Sequence, residues 1–130
     1  MPVILERDWI IADYLISNSG LLEITGDNQR GVSLKIDGGL SNTNETHLDD
    51  QETKELLNAL IKKDKIKTYN LSRILPDQTI EFLTLFPRLT QSGTEYDFFI
   101  QSAKGTELRI ASYRLGTNLD VFINAIKEVI

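Results

Sequence analysis

The sequence predicts an α+β protein: an antiparallel sheet of about six or seven strands, with one helix inserted between an N-terminal hairpin and a C-terminal four-strand meander and a second helix closing the chain. Three features carry this expectation. A capped amphipathic segment starts at Asp49, segments of period two fill residues 66–115, and the final stretch from Leu119 is apolar around most of a helical wheel.

The inserted helix is the clearest element. Asp49 is placed to cap it and Glu52, three residues on, to reach back to the amide of the cap, the reciprocal arrangement of a capping box. Leu56, Leu57, Leu60 and Ile61 then share one side while Lys54, Glu55, Asn58 and Lys62 take the other. Acids at the start and lysines at the end also suit the helix dipole.

From Ile66 the period becomes two, and the expected strands are Ile66–Leu75, Thr79–Leu89, Glu95–Ser102 and Thr106–Leu115. The breaks between them are short enough to make each neighbouring pair a hairpin. Tyr96, Phe98 and Ile100 fall on one face, whereas Ile80, Phe82, Leu83, Leu85 and Phe86 load both faces of their strand. Pro87 lacks a ladder donor, which places it at an edge or bulge.

The closing helix is expected from Leu119 to Ile130, capped by Thr117 or Asn118. Its apolar face, with Phe122, Ile123, Ile126 and Val129, forfeits several kcal/mol if left in water, at about 0.8 kcal/mol per methylene. Docking on the sheet is the ordinary solution, and contact with a partner is the other.

At the N-terminus, Leu21–Thr25 and Val32–Asp37 form a hairpin around a glycine-flanked turn. Trp9–Ile16 fits a strand by its β-branched and aromatic content and a helix by the spacing of Leu5, Trp9, Ala12 and Ile16, with strand the preferred of the two readings. Residues 38–44, rich in Gly, Ser and Asn, are expected to be a polar connection, and no internal repeat is evident. An outline of seven strands and an apolar terminal helix resembles the pleckstrin-homology class of curved sheets, with the Asp49 helix as an insertion. Small acidic dimeric chaperones of bacterial secretion are similar in size and isoelectric point.

The 130 residues, 41% hydrophobic and 25% charged, suit one α+β domain spanning 1–130. A net charge of −5 opposes general attraction to nucleic acid or anionic lipid. The charge is uneven: residues 1–61 carry eleven acids and four bases, whereas residues 62–130 carry eight and ten. Cysteine is absent, which excludes disulfides and thiolate chemistry. Neither a signal-like N-terminus nor a run long enough to span a bilayer is seen, so a cytoplasmic protein is expected.

Chemistry is sparse. His47, the single histidine, lies among Glu45, Asp49 and Asp50, residue types that zinc or manganese accept, but the acids are already explained as helix cap and dipole partners. Asn18-Ser19-Gly20 and Gln91-Ser92-Gly93 read as turns, not as nucleophile elbows, and the glycines lack the spacing of a phosphate cradle. Lys62, Lys63, Lys65 and Lys67 form the one basic run, which suits a helix end or a gatekept strand better than a nucleic-acid groove.

The expectation is therefore a non-enzymatic protein-binding or regulatory module, acting through an acidic surface or the apolar C-terminal helix, with no catalytic residue, metal or cofactor assigned. The residues singled out for binding are Glu45, His47, Asp49, Asp50, Phe122, Ile126 and Ile130. The partner is a protein, either a basic one or a second copy, with no nucleic acid and no membrane span. A metal-dependent hydrolase centred on His47 and lipid-headgroup or nucleic-acid binding by Lys62–Lys67 are the alternatives.

Overall fold

The computed structural model describes residues 3–10, 17–38, 43–61, 69–91, 93–116 and 119–130. Two antiparallel four-stranded sheets and two helices make up an α+β fold. The first sheet runs in the order β1 (Val3–Ile10), β2 (Ser17–Gly26), β3 (Val32–Asp37) and β4 (Thr43–Leu48), and α1 (Asp50–Ile61) follows. The second sheet is β5 (Tyr69–Ile74), β6 (Ile80–Thr90), β7 (Gly93–Lys104) and β8 (Glu107–Gly116), closed by α2 (Asp120–Val129). The order of four strands and a helix thus occurs twice, a repeat of topology that the residues do not advertise.

This corrects the expectation of one sheet of six or seven strands. The N-terminal strands complete a sheet of their own, since β4 begins within the expected polar connection, at Thr43, and runs on to Leu48. Asn44, Thr46 and Leu48 point inward from β4 while Thr43, Glu45 and His47 point outward. Two of the three inward residues are polar, so the usual alternation of apolar and polar residues is hidden. Asn18-Ser19-Gly20 lies within β2, not in a turn. Of the segment Trp9–Ile16, Trp9 and Ile10 belong to β1 and residues 11–16 lie outside the described residues, as do Lys62–Lys67 and the expected caps Thr117 and Asn118.

The rest follows the sequence closely. The capping box forms at α1: the Glu52 amide donates to Asp49 Oδ1 at 2.8 Å, and the Asp49 amide donates to Glu52 Oε1 at 3.1 Å. Pro87 pairs with Tyr96 on β7 and lies two residues beyond Leu85, which pairs with Tyr69, the first described residue of β5.

The two sheets face one another. Leu22, Ile24, Val32, Leu34, Ile36 and Leu48 of the first meet Leu83, Leu85, Phe98, Ile100, Ala111 and Tyr113 of the second in one buried cluster. Strand β4 lies against β7 and β8, and α2 lies over β2 and β1. Phe122 of α2 packs its ring on Phe98 of β7 at 5.5 Å between centroids, tilted by 57°. Where α2 ends, Gly26 of β2 leaves room for the Val129 carbonyl, which a Cβ there would overlap.

Candidate functional site

At the open end of the junction between the sheets, apolar packing gives way to polar side chains. The inward row of the second sheet there contains Arg73, Glu81 and Ser102, aligned by the pairs Arg73↔Glu81 and Glu81↔Ser102. They meet Asn44 and Thr46 of β4. Asn44 Nδ2 donates to the Ile100 carbonyl at 3.2 Å and to Ser102 Oγ at 3.2 Å, and its Oδ1 accepts the Glu45 amide at 2.9 Å. Arg73 Nε donates to Glu81 Oε1 at 3.0 Å, Nη1 to Glu52 Oε1 at 2.8 Å, and Nη2 to Thr46 Oγ1 at 2.7 Å and to the His47 carbonyl.

Beside this network lies a cavity of about 490 Å³ lined by Ser33, Glu45, Thr46, His47, Arg73, Leu75 and Glu81. Its outer wall is a chain of three side chains. Ser33 Oγ is 2.9 Å from His47 Nδ1, and His47 Nε2 is 3.0 Å from Asp27 Oδ2. The pairing of β3 with β4 puts Ser33 opposite His47. Asp27 is fixed because its Oδ1 accepts the amides of Gln29 and Gly31 at 2.7 and 2.8 Å, and these bonds, with His47, hold its carboxyl below the ordinary 3.8.

Serine, imidazole and carboxylate in series are the parts of a nucleophilic relay. A relay also needs donors aimed at developing negative charge. Arg73, the cation lining the cavity, commits four of its N–H groups to Glu52, Glu81, Thr46 and the His47 carbonyl. Its two carboxylate partners already neutralise it. The arrangement serves to clamp the β2–β3 turn to β4 and β4 to the second sheet.

Of the residues singled out in the sequence, Glu45 and His47 lie together on the outer face of β4, with Glu45 opposite Lys35. Asp49 caps α1, and Asp50 in its first turn pairs with Lys54 at 3.1 Å. Neither turns toward the imidazole, whose two nitrogens already meet Ser33 and Asp27. No group of three or more His, Asp or Glu side chains gathers for a metal among the described residues. Phe122 and Ile126 are wholly buried, so the apolar stripe of α2 covers the core and offers no surface, while Ile130 stays half exposed at the helix end.

A second surface lies among residues that the sequence does not single out for binding. On the outside of the second sheet the pairing aligns Ile74, Ile80, Ala103 and Leu108 in one row across all four strands. The next row holds Ser72, Phe82, Gln101 and Ile110, and the one after it Asn70, Thr84, Phe99 and Ser112. Ile74 is 74% exposed, Leu108 67% and Phe82 40%. At the far end Phe86 adjoins a charged group in which Arg88 meets Glu95 at 3.0 Å and Asp97 at 3.3 Å, and Arg114 meets Asp97 at 3.5 Å.

No protein-family model matches the chain, and no curated protein is significantly similar to it. The two outer faces are the remaining guide. That of the first sheet carries the rows Glu23–Lys35–Glu45 and Thr25–Ser33–His47, a solvated surface. The corresponding rows of the second sheet are uncharged, with the first wholly apolar and Phe82, Ile110 and Phe99 in the next two. The sequence signal was Ile80, Phe82 and Phe86 opposing Leu83 and Leu85 on one strand: both faces of β6 are hydrophobic, and only one can line the core. None of the described helices is long and apolar enough to cross a membrane.

Proposed function

We propose that the chain is a non-catalytic protein-binding module whose contact surface is the outer face of β5–β8. The observation that supports this is the exposure of Ile74, Ile80, Phe82, Leu108 and Ile110 in neighbouring rows of one sheet, whereas on the outer face of the other Ile4 and Leu21 stand among charged and polar residues. Scattered exposed apolar residues need no explanation, but these five lie on β5, β6 and β8 and are joined across β7 by Ala103, a contiguous patch of the kind that marks an interaction site. The reading replaces the apolar C-terminal helix, whose large side chains are held in the core.

The test uses an immobilised tagged chain offered both untagged chain and native lysate. Phe82→Lys with Ile110→Lys changes the outer face and leaves the inner face intact, so bound protein should be lost while the far-ultraviolet spectrum is kept. Equal retention by the wild type and the double variant, or no bound protein in either case, removes the reading.

A further inference from the structure

We propose that the occupant of the outer face of β5–β8 is the same face of a second copy, related by a two-fold axis parallel to the strands between β6 and β7. The inference rests on the binding reading above and names its partner.

Charge is the first argument. The chain carries a net −5, so two copies repel over most approaches. The charged end of this face is balanced, with Arg88 and Arg114 set against Glu95 and Asp97. Two acidic copies can therefore meet here without bringing an excess of like charge together.

Self-complementarity is the second. Such an axis preserves each cross-strand row and reverses strand order, placing β6 over the partner copy's β7 and β5 over its β8. Ile80 then lies over Ala103, Thr84 over Phe99, Phe82 over Gln101, Ile74 over Leu108 and Arg88 over Glu95, as the register dictates. Across the axis most large side chains meet smaller ones, and the cation meets an acid. Stacked sheets pack about 10 Å apart with strands within about 30° of one another, a crossing that this symmetry allows.

Size is the third. Four strands at about 4.8 Å spacing and eight residue steps at about 3.4 Å give a projected face of roughly 500 Å². With side-chain relief, that is the scale of the roughly 800 Å² per partner of a standard interface.

Light scattering on the full chain across a concentration series should give twice the 14.7 kDa chain mass. Phe82→Lys should raise the dissociation constant more than about 30-fold, the loss expected of a central interface residue. Arg88→Glu chains and Glu95→Arg chains should each dimerise weakly alone and form the mixed dimer when combined, an outcome that repair of the Arg88–Glu95 pair within one chain cannot mimic. The chain has no cysteine, so Ile74→Cys chains mixed with Leu108→Cys chains should form the mixed cross-link with a bis-maleimide of about 10 Å reach. A monomer at every concentration overturns the second copy; if that monomer captures another protein and loses it with Phe82→Lys, the binding reading stands. A dimer indifferent to Phe82→Lys and to the charge swap overturns both.

Discussion

Arg73 reaches from β5 to Glu52 on α1, Nη1 to Oε1 at 2.8 Å, and so ties the second sheet to the helix that follows the first. The same guanidinium holds Glu81, and Thr46 donates its hydroxyl to Glu81 Oε1 at 3.1 Å. Glu52, Glu81 and Thr46 are all partly buried, so these bonds work in a medium less screening than water.

Arg73→Met should therefore cost about 2–3 kcal/mol, because it leaves Glu52 and Glu81 facing each other without a cation. Arg73→Lys should recover only part of this, since an ammonium cannot reach three side chains from one planar fork. Urea denaturation of the three proteins measures the order. A lysine variant as stable as wild type would show that charge alone, not the fork, carries the junction.

Asn44 gives a sharper version of the same idea. It is 8% exposed, and its amide joins β4 to the backbone of β7. Asn44→Leu should destabilise by about 1–3 kcal/mol, the cost of orphaning buried carbonyl and amide partners, although leucine is the more hydrophobic residue. If leucine proved stabilising in thermal melts, the polar end of the junction would be replaceable by ordinary core.

The residues that made this junction hard to foresee are the ones just described. A helix with a capping box can be read locally because Asp49 and Glu52 satisfy each other within one turn, and the meander can be read because Tyr96, Phe98 and Ile100 alternate. Strand β4 cannot, because its inward positions include Asn44 and Thr46, whose partners are more than thirty residues away in Ser102, Glu81 and Ile100. Without β4 there is no register to bring Ser33 opposite His47, and no edge to end the first sheet. The surface on β5–β8 was half legible: β6 announced two apolar faces, but which one faced water depended on the second sheet existing.

Acid should loosen the β2–β3 turn before it unfolds the rest. Asp27 has its folded pKa lowered from 3.8, mainly by the amides of Gln29 and Gly31 and then by His47. A group shifted in that direction contributes stability that is full above the unfolded value and lost as pH falls through the folded one. Asp27→Asn should thus be less stable than wild type at pH 5, with the gap closing below 3.8. Asp77, lowered by the Thr79 hydroxyl and amide and by Lys104, leaves a smaller acid dependence of the same sign in the variant. A gap that stays constant from pH 5 to pH 2 would falsify the assignment.

Gly26 tests the placement of α2. Its α-carbon sits under the carbonyl of Val129, so an added methyl group overlaps backbone, not the end of a flexible side chain. Sheet and helix cannot both keep their positions, and overpacking of this kind costs about 1–3 kcal/mol, with the upper end expected because a backbone atom must move. Gly93→Ala makes the control: its φ of 118° imposes strain, but nothing lies within 4 Å of the new methyl. Both variants should therefore lose stability, but only Gly26→Ala should also lose amide-exchange protection in α2, because only there does the helix have to lift from β2. Unchanged protection in α2 of Gly26→Ala would mean that the helix end is held less closely to the sheet than the Val129 contact implies.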